Sequence, residues 1–145
     1  MIPPSDPNGN LPPGIHLANW SEFTARYGTT PHREGLIGGL ERALDALQSA
    51  SCTKVYVDGS FVTAKESPGD YDVAWEPTNV DVAGLLASET VFGDFSHGCA
   101  LQKAKYGGEF FPSSFREALT GSTFLDFFHK DRDTGGRKGI VALDL

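Results

Sequence analysis

Val55-Tyr56-Val57-Asp58-Gly59-Ser60-Phe61, with nine residues separating Ser60 from Asp70-Tyr71-Asp72, is the stretch that decides how this chain is read. Its apolar residues predict a strand over 53–58, and Gly59-Ser60 a turn into a short helical segment. Pro68-Gly69 then predicts a second turn, and 71–75 a second strand. Successive strand side chains point to opposite faces, so Asp70 and Asp72 project to one side, about 7 Å apart. Two such carboxylates beside a helix N-terminus that can hold phosphate suit a divalent cation and the movement of a phosphoryl or nucleotidyl group.

Upstream, Pro3, Pro4, Pro7, Pro12 and Pro13 with Gly9 and Gly14 make residues 1–14 an extended arm, able to lie along the domain or reach a second subunit. Trp20 to Tyr27 predicts a short helix with Phe23 and Tyr27 one turn apart, ended by Gly28. Thr30 is placed to cap a helix with Pro31 in its first turn. Leu36, Ile37, Leu40, Leu44 and Leu47 give that helix one apolar stripe over 31–50. Gly38 and Gly39 weaken it locally, which close packing against the sheet would explain.

Downstream, Asn79 is expected to cap a helix over 80–88 and residues 91–98 to be irregular. A short helix is expected over 100–106, and Glu109-Phe110-Phe111 as a third strand bounded by Pro112. Thr123 to Phe128 suggests a small aromatic helix or bend. The tail reads as a β-hairpin, with Phe127 to Lys130 turning through 131–136 into 139–145. Strands interleaved with helices give a small α/β (α+β) domain spanning 1–145, a small mixed sheet flanked by helices.

At 145 residues the chain can bury a core of its own, and no apolar run approaches the roughly 18 residues a membrane span needs. The N-terminus lacks the basic and apolar regions of a signal peptide, so a cytoplasmic protein is expected. Cys52 and Cys99 make neither a disulfide framework nor a metal-ligand spacing. His16, His32, His97 and His129 are scattered and read as structural or exposed. The net charge of −7 argues against a generic nucleic-acid binder, although acidic sites bind nucleotides through metal ions, and an acidic surface also suits a basic protein partner.

Gly59-Ser60, the nine-residue interval and Asp70-Tyr71-Asp72 between apolar flanks resemble the signature of the DNA polymerase β-like nucleotidyltransferase superfamily, over about residues 30 to 112. Across nearly the whole chain, the start from Ile2-Pro3-Pro4 to Pro12-Pro13-Gly14, the Asp58-to-Lys65 segment and the Lys138-to-Leu145 end look like an uncharacterised bacterial family of small nucleotidyltransferase-like proteins.

The resemblance implies a role for each position. Gly59 would allow close approach of a triphosphate, Ser60 would bond a phosphate oxygen, and Lys65 would contact a β- or γ-phosphate. Asp70 and Asp72 would hold Mg²⁺ (or Mn²⁺). A third carboxylate, Glu109 with Asp94 as competitor, would complete the metal set and help deprotonate the attacking hydroxyl. Lys103 and Lys105 read either as phosphate contacts or as surface charges. Asp58 reads as a strand-end residue pointing away from the Gly-Ser turn. Phe110, Phe111, Phe124, Phe127 and Phe128 read as core or subunit interface, with base stacking the minor alternative. Lys130, Arg132, Arg137 and Lys138 read as a solvated tip.

Two functions follow as expectations. One is a Mg²⁺-dependent nucleotidyltransferase that moves an NMP from an NTP to a macromolecular hydroxyl acceptor, protein or RNA. A second subunit, as in a homodimer, would help recognise that acceptor, and a toxin–antitoxin or defence module is the expected setting. The other is an inactive binding module of the same fold, acting as an antitoxin or partner-binding protein. Phosphohydrolase chemistry at the same carboxylates is disfavoured because no His or Cys nucleophile accompanies them.

Overall fold

A mixed sheet organises the chain. The computed structural model describes residues 1–116, 121–131 and 135–145. Among them five strands, β1 (Gly14–Ala18), β2 (Lys54–Asp58), β3 (Tyr71–Trp75), β4 (Gly108–Pro112) and β5 (Gly139–Asp144), lie in the order β1-β5-β2-β3-β4. β1 runs parallel to β5, β5 antiparallel to β2, β2 antiparallel to β3, and β3 parallel to β4. The helices are α1 (Trp20–Tyr27), α2 (Pro31–Ser49), α3 (Val82–Ser88), α4 (Ser96–Tyr106) and α5 (Phe124–Phe128). The fold is α+β, as expected.

The local signals act as their chemistry requires. Thr30 accepts the Arg33 amide at the head of α2, with Pro31 in the first turn. Ile37, Leu40, Ala43, Leu44 and Leu47 of α2 share one buried cluster with Val55, Val57, Val73, Val141 and Leu143 of the sheet. The strand residues in that cluster alternate with those on the other sheet face, where Ala74, Ile140 and Phe128 form a smaller cluster. One face therefore carries the main core, and the other is left for the site.

Four expectations need correction. The tail is not a hairpin of two long strands: Phe124–Phe128 is a short helix, as expected, and among the described residues the antiparallel pairing is confined to 129–131 with 136–138, while β5 lies inside the sheet between β1 and β2. Ile140, Val141, Ala142 and Leu143 are all buried, so this strand needs cover on both faces, as an interior strand has. Positions 132–134 of the expected turn lie outside the described residues.

The second correction adds a strand. β1 follows the proline-rich arm, which itself lies along the domain with Ile2 and Leu11 buried and the Gly9 carbonyl accepting the Ala64 amide. Third, Asp81 rather than Asn79 caps α3, because Asn79 adopts a left-handed φ of 67° in the preceding turn. Fourth, Gly39 packs not on the sheet but against the end of α4. A β-carbon there would lie 1.8 Å from the Tyr106 carbonyl oxygen, which also accepts the Tyr71 hydroxyl at 2.7 Å.

Gly38 has nothing within 4 Å of the corresponding position. Gly39→Ala is therefore expected to destabilise the protein by about 2–3 kcal/mol through backbone overlap. Gly38→Ala is expected to stabilise it by about 0.5–1 kcal/mol through helix propensity alone. Urea unfolding midpoints of the two variants should move in opposite directions.

Candidate functional site

The strand register builds an acidic row. Asp58 pairs with Asp72 across β2 and β3, and Asp72 pairs with Glu109 across β3 and β4. Residues directly opposite one another on neighbouring strands project to the same face, so the three carboxyls stand side by side on the face away from α2. Asp70, two residues before Asp72, joins them. All four line a cavity of about 950 Å³, with Gly59, Ser60, Thr63 and Lys65 on its rim. Lys130 and Lys138 also line it, as do phenylalanines from three segments.

Asp58 is therefore not a side chain pointing away. It is buried and forms an ion pair with Lys138 at 3.0 Å. Alternation after Val55 and Val57 turns it out of the main core, and its pairing with Asp72 makes that face the cavity face. Burial raises its carboxyl above the usual range, and Lys138 partly offsets that. Lys138 is half-buried in the site rather than part of a solvated tip. Lys130 lines the cavity but is exposed, as Arg137 is; Arg132 lies outside the described residues.

Of the two candidates for a third carboxylate, Glu109 stands beside Asp72 and lines the cavity. Asp94 instead accepts the amide and hydroxyl of Ser96 at 3.0 and 2.6 Å. Lys65 lines the cavity. Lys103 joins Asp70 at 3.6 Å and Glu109 at 3.0 Å. Lys105 turns elsewhere and pairs with Glu89.

Phe111 and Phe124 stack with centroids 4.0 Å apart, and Phe95 stacks on Phe111 at 5.5 Å. These three rings, with Phe127 and Phe128, face the cavity, whereas Phe110 is fully buried in the main core. The side chains read as core thus divide by strand parity: Phe110 goes to one face and Phe111 to the other.

Burial dominates the electrostatics, and crowding adds to it. Burial, then the charges of Glu109, Asp58 and Asp70, push the Asp72 carboxyl up to about 7. Gly59 makes this crowding sterically tolerable. Its φ is 87°, and a β-carbon there would come within 2.9 Å of Asp72 Oδ2. Cys99 also lines the cavity, on a left-handed turn with His97 and Gly98. Burial and the neighbouring carboxylates push its thiol up to about 11, so at neutral pH it is protonated and a poor nucleophile.

The short helical segment expected after Gly59 is present as a single 3₁₀ turn, Ser60–Val62, too short to direct a helix dipole of useful strength at the site. Arg33 holds the loop instead, a role that sequence reasoning missed. Its guanidinium is buried and donates to the carbonyls of Phe61 at 2.8 Å, Thr63 at 3.1 Å and Lys65 at 2.5 Å, while lying over the Phe61 ring. An arginine in the first turn of an amphipathic helix carries no sequence signal that it turns inward. Gln102 does the same service for β4, exchanging hydrogen bonds with both backbone groups of Phe110.

All four carboxyls offer hard oxygen donors, the chemistry Mg²⁺ or Mn²⁺ prefers, and a divalent cation would relieve the repulsion recorded at Asp72. Among the described residues, no three His, Cys, Asp or Glu side chains close on one point as a metal-ligand set does. The Lys103 ammonium lies between Asp70 and Glu109. The donor types fit such a cation, and the arrangement in hand has a lysine among them.

These features define a small α+β protein with an acidic, lysine-flanked cavity on the exposed face of its sheet. The chain belongs to a family described as of unknown function, DUF6932, which it matches over residues 3–144. No curated protein and no solved structure matches it. Among the described residues no helix is long and apolar enough to cross a membrane.

Two outcomes test this account of the site. The Asp72 carboxyl titrates near 3.9 when unfolded and about 7 when folded. The folded state thus holds more protons between those values, and this group's contribution to stability is lost as pH rises from about 4 to 7. In buffer containing EDTA, Asp72→Asn should raise the melting temperature at pH 8 by a few degrees, the shift that about 1 kcal/mol gives at this chain length. The gain should shrink at pH 5, as thermal unfolding followed by circular dichroism would show. Arg33→Met should cost about 2–3 kcal/mol by leaving loop carbonyls without a donor, measured by urea unfolding.

Proposed function

We propose that this protein is a Mg²⁺- or Mn²⁺-dependent nucleotidyltransferase that moves an NMP from an NTP to a macromolecular hydroxyl acceptor. The observation that carries this reading is the register that sets Asp58, Asp72 and Glu109 in one row, with Asp70 beside them and the Gly59-Ser60 turn on the cavity rim. The superfamily that the motif resembles usually adds a third carboxylate from an adjacent strand, and Glu109, opposite Asp72 on β4, is the residue we assign to that role.

Asp70, Asp72 and Glu109 are the residues that would hold the metal, which when bound neutralises the crowded carboxylates and stabilises charge building on phosphate oxygens. Ser60 and Lys65, on the loop that Arg33 fixes, receive the phosphate tail, and Lys130 and Lys138 add positive charge to the same cavity. The phenylalanine wall gives the base an apolar face to stack on. In the reaction the acceptor hydroxyl oxygen bonds to the α-phosphorus, the bond from that phosphorus to the bridging oxygen breaks, and pyrophosphate leaves. Glu109 takes the hydroxyl proton.

The cavity is formed by one small chain, so the acceptor, a protein side chain or an RNA end, would bring its own recognition surface or meet a second copy of the protein. A toxin–antitoxin or defence setting in the cytoplasm is the context that the resemblance suggests. One observation favours the alternative of an inactive partner-binding module or antitoxin: Lys103 and Lys138 already neutralise part of the acidic row.

The test is label transfer from an α-phosphate-labelled NTP to host-cell extract in the presence of Mg²⁺. The wild-type chain should label an acceptor. The double change Asp70→Asn with Asp72→Asn should reduce transfer to background, as should Glu109→Gln, whereas Asp94→Asn should leave it unchanged. Undiminished transfer in the double variant would remove the assignment. Absence of transfer by the wild type, together with stable capture of a partner protein, would favour the binding module.

A further inference from the structure

Lys103 occupies a position that neither a surface lysine nor a simple phosphate contact accounts for. It follows Gln102, whose buried amide bonds both backbone groups of Phe110 and the Val91 carbonyl, fixing α4 against the outer edge of β4. That docking brings the next residue over the acidic end of the sheet. The Lys103 ammonium then lies 3.0 Å from Glu109 and 3.6 Å from Asp70, bridging two of the three carboxylates assigned to the metal. It is a compact charge with three donors on a flexible stem, and its side chain is 41% exposed, so it can swing outward with little loss of burial. A divalent cation and this ammonium would claim the same oxygens, and two cations a few ångströms apart repel strongly.

We propose that Lys103 is the resident counter-cation of the carboxylate row. It stabilises Asp70 and Glu109 when no metal is bound, and a divalent cation must displace it to enter. The site consequently binds free divalent cation weakly and takes it up together with a nucleotide, whose phosphates give the displaced ammonium a new partner. This inference rests on the nucleotidyltransferase reading and concerns how its metal is loaded.

The test is titration of the full chain with Mn²⁺, read by electron paramagnetic resonance and calorimetry without nucleotide. Lys103→Gln should bind Mn²⁺ about tenfold more tightly than wild type, the ratio that about 1.4 kcal/mol gives. Lys103→Arg, which keeps the cation, should bind as weakly as wild type. Lys105→Gln, which makes the same change in net charge but at the Glu89 pair, should also match wild type. With a non-hydrolysable ATP analogue present, the difference between Lys103→Gln and wild type should largely close. Equal or weaker Mn²⁺ binding by Lys103→Gln would overturn the inference while leaving the metal site standing, as would equal tightening by Lys105→Gln. No Mn²⁺ binding by any of the chains, with or without the analogue, would overturn both this inference and the nucleotidyltransferase reading.

Discussion

Backbone hydrogen bonding between β2, β3 and β4 holds Asp58, Asp72 and Glu109 in one row, and the carboxyls cannot drift apart without breaking the ladder. Like charges placed so close would normally separate or protonate. Here the sheet forbids separation, and the surroundings respond. Asp72 retains its proton up to about 7, Lys138 closes on Asp58, and Lys103 closes on Glu109 and Asp70. A concentration of negative charge that lowers the stability of the empty protein is the kind of strain that functional sites keep.

Much of the remaining architecture serves to hold that row. α2 covers the opposite face of the sheet with an apolar stripe and sends Arg33 from its first turn into the loop after Gly59. Three carbonyls converge on that one buried guanidinium, so the loop carrying Ser60 and Lys65 is fixed from behind without an acidic partner. α4 is set by the Gln102 amide on the edge of β4 and by the close approach of Gly39 to the Tyr106 carbonyl. Two helices on one side of the sheet thus control the loop and the lysine on the other. Among the described residues, α5 with Phe95, Cys99 and Asn10 covers the acidic face in part, and this leaves a cavity where a second full layer would have left a core.

Particular residues show how far the sequence could be read. The α2 stripe, the Thr30 cap and the strands at Val55, Val73 and Phe110 rest on local periodicity and capping chemistry, which act over a few residues and are visible in one dimension. The placement of Asp70 and Asp72 on one face follows in the same way. Glu109 was legible as the start of a strand, but its pairing with Asp72 was not, because parallel partners here are far apart in sequence. Alternation with Val55 and Val57 sets the face of Asp58 locally, but that this face is also the one carrying Asp72 follows only from the pairing of β2 with β3. The expected hairpin failed because Phe124 to Phe128 could satisfy its backbone as a helix, while the apolar run after Gly139 found partners in β1 and β2 that no local pattern announces.

The sequence by itself determined the elements, the Gly-Ser turn, the two aspartates on a common face and the composition of a hard-oxygen site. Those follow from φ/ψ preferences, side-chain alternation and donor chemistry, all of them short-range. Only the tertiary structure decided that four carboxylates line one cavity, that Arg33 turns inward to hold a loop, that Phe111 faces that cavity while Phe110 fills the core, and that Lys103 stands among the acids. Each of these depends on strand register and helix docking. Those are fixed by burying apolar surface over the whole molecule rather than by any neighbouring residue.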